Sequence, residues 1–148
     1  MGKYQNLAVL LLRLATSANF LSAVADRFGL WGNPGEPNVS WGNWGNFVAY
    51  NAQVNSFVPA SFALLLGIVA TALEIILPLM LIAGYKTRLA AIGSALVTLG
   101  FALAMTYSFG IKAPLNYAVF VDITSAFLLA TVSHYKWSID EWLDKAKQ

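Results

Sequence analysis

Four apolar runs, each near or above the ~20 residues that an α-helix needs to cross a bilayer, leave this chain few folds other than a bundle of membrane helices. They cover roughly Leu7–Phe28, Ala60–Ala83, Leu89–Tyr107 and Leu115–Ser133. In a chain of 148 residues little remains outside them, so one membrane domain over residues 1–148 is expected. The fold class is all-α, an integral membrane four-helix bundle. With 58% hydrophobic and 11% charged residues, the chain is well outside the range of soluble domains. Ala23-Val24-Ala25 has the small-residue pattern of a signal-peptidase site, but Arg13 interrupts what would be its apolar core, and the run is retained as a span.

The basic residues orient the spans. Lys3, Lys86, Arg88, Lys136, Lys145 and Lys147 fall on one side of a four-span topology, against Arg27 and Lys112 on the other. The positive-inside rule then puts both termini, the Gly84–Arg88 turn and the tail 134–148 in the cytoplasm. This distribution accounts for the net charge of +2, so no nucleic-acid partner is implied.

Between the first two spans, residues 29–59 read as an outer loop and helix. Gly32, Pro34, Gly35 and Pro37 mark the loop, and Ser40 is placed to cap a helix ending near Val58. Trp41, Trp44, Phe47, Val48, Asn51, Val54, Asn55 and Val58 recur at three- and four-residue steps, the pattern of an amphipathic extracytoplasmic helix. Trp31, Trp41 and Trp44 are interfacial anchors or line a ligand entrance.

Charges inside apolar runs are the candidate functional residues. Ionisable groups at membrane depth are costly, usually paired, and mark function. Counted from the cytoplasmic ends at ~1.5 Å per residue, Arg13 lies ~9 Å deep, Glu74 ~15 Å, Asp122 ~17 Å and Asn19 ~18 Å. An Arg13–Glu74 pair is expected, with Asp122 as the surplus acid available for proton exchange and Asn19 adding an amide. Thr71 shares the Glu74 stripe with Gly67 and Ala70. Asn116 and Tyr117 approach Asp122 from the outer mouth. The third span carries a small-residue stripe of Gly93, Gly100 and Ala104. Pro78 lacks the N–H that would bond the Glu74 carbonyl. Asp26 and Arg27 read as an interfacial pair, and His134 as a solvated side chain. Without cysteines the chain cannot supply a dithiol relay, a disulfide or a cysteine metal site, and its one histidine cannot supply a bis-histidine haem. No metal or haem is expected.

Several short motifs carry a resemblance. Leu11-Leu12-Arg13-Leu14, Phe20 and Arg27-Phe28 in the first run are similar to the first helix of DoxX-like membrane proteins. Thr71-Ala72-Leu73-Glu74, then Leu81-Ile82-Ala83-Gly84-Tyr85-Lys86-Thr87-Arg88-Leu89-Ala90-Ala91, resembles the family's membrane glutamate and following glycine turn. Ala113-Pro114-Leu115-Asn116-Tyr117 is similar to a further family segment. Ser17 and Val24 stand where glycine is frequent in the family, and Arg27 stands near a frequent lysine. The resemblance implies a multi-pass protein of a prokaryotic cytoplasmic membrane, whose relatives are linked to quinone-coupled sulfur oxidation, thiol stress and maturation of redox enzymes. It maps Arg13 and Glu74 onto charged family positions.

The functional expectation is a redox-associated membrane protein binding a quinone-like or other lipophilic molecule. Glu74 and Asp122 would handle protons, while Arg13, Asn19, Thr71, Asn116 and Tyr117 would hold the ligand. Any oxidoreductase activity would need electrons from a partner protein. The alternatives are a small-molecule or proton-coupled carrier, which with four helices would act as a homodimer, and a non-catalytic assembly or structural subunit.

Overall fold

The computed structural model describes residues 2–146, which form seven helices and no strand. Lys147 of the orientation argument lies outside the described residues. The helices are α1 (Lys3–Arg27), α2 (Trp44–Val54), α3 (Ala60–Ala83), α4 (Thr87–Phe109), α5 (Lys112–Asn116), α6 (Val119–Ala130) and α7 (Ile139–Lys145). Three of them, α1, α3 and α4, are long and apolar enough to cross a membrane. Their outward faces carry large apolar side chains such as Leu65 at 50%, Leu96 at 61% and Leu103 at 63% exposure. So much bare apolar surface suits lipid rather than water.

The helix ends have local causes. After α3, Gly84 adopts φ 67°, and the amides of Gly84 and Tyr85 turn back to the carbonyls of Leu81 and Met80. A Cβ on Gly84 would collide with Ser138 and with the Arg13 guanidinium. The first amides of α4, which lack partners within the helix, are capped from a distance: Asp140 accepts from Lys86 N and Thr87 N, both at 2.8 Å.

Two sequence expectations change here. The fourth run is not one helix, because Ala118 adopts a left-handed φ of 54° and separates α5 from α6. At 12 residues α6 is about 18 Å long, well short of a ~30 Å hydrocarbon core. The second change concerns α2, which starts at Trp44 and ends at Val54. Its cap is Asn43, whose side chain accepts from Asn46 N at 2.8 Å, while Ser40 lies ahead of the helix with its amide on Asp26.

Packing runs α1 on α3, α3 on α4, α4 on α6 and α6 back on α1, with α2 lying across α3, α4 and α1. Small side chains let α4 approach its neighbours: Ala90, Ala91, Ser94, Ala95 and Ala102 are all buried. Gly93 lies under Leu77 and Gly67 under Asn51, whereas Gly100 faces no close neighbour, so the small-residue stripe closes only in part. One apolar cluster, around Leu77, Leu81 and Leu129, fills the end carrying α7. A second, around Val54, Met105 and Val119, fills the end carrying α2. The polar layer lies between them.

Candidate functional site

The buried ion pair of this protein joins Arg27 to Glu74, not Arg13 to Glu74. Both partners are almost completely enclosed, at 2% and 3% exposure. Arg27 Nη1 donates to Glu74 Oε2 and, at 2.7 Å, to Thr71 Oγ1. Thr71 in turn donates to the Gly67 carbonyl one turn earlier, at 2.8 Å. Aromatic rings cover the guanidinium: its Cζ lies 4.1 Å from the Phe47 ring centroid and 5.4 Å from that of Trp41. Such a pair holds together because each charge answers the other where neither can be hydrated.

Arg13 has a different task. It is fully buried and donates only to backbone carbonyls: Nε to Leu81 at 2.9 Å, Nη2 to Ile82 at 3.1 Å, and Nη1 to Lys136 and Trp137 at 3.2 and 3.3 Å. It thereby adds a second donor to the Leu81 carbonyl, meets that of Ile82 at the end of α3 and ties the segment before α7 to the helices. The expected Asp26–Arg27 pair is also absent. Asp26 accepts from Ser40 N at 2.8 Å, Trp41 N at 3.2 Å and Gly42 N at 2.9 Å, and so folds the loop before α2 over the end of α1.

A cavity of about 670 Å³ opens beside the ion pair, a size that suits a small organic ligand. Arg27 and Glu74 line it, together with apolar groups such as Phe20, Phe101 and Met105. Asn19 and Asp122 line it as well, and Asn19 Nδ2 donates to Asp122 Oδ1 at 3.3 Å. Asp122 is only partly buried, unlike Glu74. Tyr117 lines the same space and Trp41 closes it from the loop before α2. Trp31 and Trp44 stand apart from it, on Ser22 and Phe28.

Of the residues read from the sequence, Glu74, Asp122, Asn19 and Tyr117 thus share one cavity, and Thr71 reaches it through Arg27. Arg13 lies outside it, and Asn116 is exposed and does not line it. Arg27 is the residue the sequence reading placed wrongly. Its position at the end of the first apolar run marked it as interfacial, yet a helical side chain leans toward its own N-terminus, which brings a C-terminal arginine back into the bundle.

No curated protein and no solved structure matches the chain. The DoxX family model matches residues 8–107, a stretch that holds Arg13, Asn19, Arg27, Thr71 and Glu74 and stops short of Tyr117 and Asp122. With more than half of its length matched in this way, the chain belongs to the DoxX family.

Proposed function

We propose that this DoxX-family membrane protein is a redox-associated four-helix bundle that binds a quinone-like or other lipophilic small molecule in the cavity between Arg27–Glu74 and Asn19–Asp122. The observation that carries this reading is a buried ion pair in the wall of a cavity of ligand size, beside apolar groups such as Phe20, Phe101 and Met105. Glu74 holds the guanidinium in place, Arg27 polarises an oxygen of the head group, and the less enclosed Asp122 exchanges a proton with the outside. The redox association rests on the family's linkage to quinone chemistry, and electrons would pass to or from a partner protein. The basic residues favour a prokaryotic cytoplasmic membrane with both termini inside and α2 on the opposite face.

The test is mass spectrometry of the organic extract from protein purified in lipid nanodiscs, beside the folded Asp122→Asn and Glu74→Gln proteins. A lipophilic oxygen-bearing molecule retained near one per chain by wild type and depleted in the variants is the expected result. Bulk phospholipid alone in all three samples overturns the reading.

A further inference from the structure

The Arg27–Glu74 contact is made by one atom on each side. Both hydrogen bonds of the Arg27 side chain leave from Nη1. A guanidinium carries five N–H donors, and it commonly meets a carboxylate through two parallel bonds. Here the second bond is not made. Nε is enclosed with no partner, and Nη2 has no protein partner among the described residues. On the other side Glu74 Oε2 is engaged, while Oε1 has no protein partner among the described residues. Neither Nη2 nor Oε1 is sealed in as Nε is. Phe47 and Trp41 lie against the guanidinium and leave Nη2 without a partner of its own. Unmet polar groups on a buried ion pair call for an explanation, and a bound molecule supplies one.

Resting on the reading of the cavity as a lipophilic-molecule site, we infer that the site selects a head group bearing a hydroxyl beside an oxygen acceptor. The hydroxyl donates to Glu74 Oε1, and the neighbouring oxygen accepts from Arg27 Nη2. A carbonyl oxygen facing Glu74 Oε1 would set two acceptors against each other with no proton between them. The site therefore takes a head group that carries a hydroxyl donor in preference to one whose oxygens can only accept.

The experiment uses the whole chain in nanodiscs and two non-natural probes, 4-decyl-1,2-dihydroxybenzene and its dimethyl ether. Binding is measured by anaerobic calorimetry, with empty nanodiscs correcting for partition into lipid. The ether keeps the ring, the chain and the acceptors, carries an added methyl on each oxygen and has lost the donors, so the paired variant serves as the control for bulk. Wild type is expected to bind the diol about tenfold more tightly, the effect of one hydrogen bond to a charged group. The paired Arg27→Met/Glu74→Met protein is expected to bind both probes alike. Equal affinities in wild type, or a preference for the ether, overturn the inference and leave the cavity reading standing. A diol preference that survives in the paired variant overturns the assignment to Arg27 and Glu74. Binding of neither probe overturns the cavity reading too. The two wild-type measurements decide whether the site requires a hydroxyl donor even if the variant does not fold.

Discussion

Arg27 and Glu74 meet because α1 and α3 run in opposite directions and each side chain leans toward the other. Ser17 Oγ lies 3.1 Å from the Pro78 carbonyl, which sets the two helices level at that point. From there Arg27 is ten residues further along α1 and Glu74 four residues back along α3. A gap of six residues, about 9 Å of helix, separates their backbones. Side chains tilted toward their own N-termini close that gap, since the N-termini of α1 and α3 point opposite ways.

Breaking this pair on one side should be far worse than removing it whole. Arg27→Met or Glu74→Met alone leaves an uncompensated buried charge and should cost about 3–5 kcal/mol, whereas the double replacement should lie near wild type. Thermal unfolding in detergent, run as a double-mutant cycle, checks this; single and double variants of equal stability would contradict it.

Arg13 should act as a structural clasp with no part in ligand binding. Arg13→Met removes four hydrogen bonds to carbonyls, of which Leu81 keeps the Gly84 amide, and a loss of about 2–4 kcal/mol is expected. The segment around α7 should become open to proteases first. Ligand retention by the protein that stays folded should not change.

The docking of α7 gives a pH prediction. Glu141 accepts from Lys136 Nζ at 2.7 Å and Trp137 N at 2.9 Å, with Lys145 Nζ at 3.1 Å. The Lys136 hydrogen bond, then that of the Trp137 amide, holds its carboxyl down at about 2, against an ordinary 4.5. A carboxyl lowered by folding contributes stability in full above pH 4.5, and that contribution fades as the pH falls toward 2. Carboxyl-carbon NMR should place the Glu141 midpoint near the lower value, and Lys136→Gln should move it back up.

Gly67→Ala tests how α2 is held. The new Cβ would lie 2.9 Å from Asn51 Nδ2, which now donates to the Ala63 carbonyl at 2.5 Å. Overpacking there should cost about 1–3 kcal/mol. It should also push Phe47 off the Arg27 guanidinium, which a change in ligand affinity would report.

Much of this was legible from residue order alone. The long spans α1, α3 and α4 follow from apolar length, and Glu74 and Asp122 stood out because charge is expensive there. The partner of Glu74 did not stand out. Counting depth from helix ends treats a side chain as a point beside its Cα, which is too crude for arginine. Arg13 leans toward the end of the helices that carries α7 and finds carbonyls, while Arg27 leans inward and finds the acid. The break at Ala118 was hidden for another reason: alanine is a strong helix former, and only tertiary packing places it in a left-handed conformation. Pro114, just ahead of the fourth apolar run, belongs to a short separate helix.

Asp26 and Arg27 are joined by a single peptide bond, yet one carboxylate gathers the loop that carries Trp41 and the next side chain carries the cavity's cation. The lid and the hook hang from the same hinge pin. Rotation of the last turn of α1 cannot open the space over the cation without carrying the cation along.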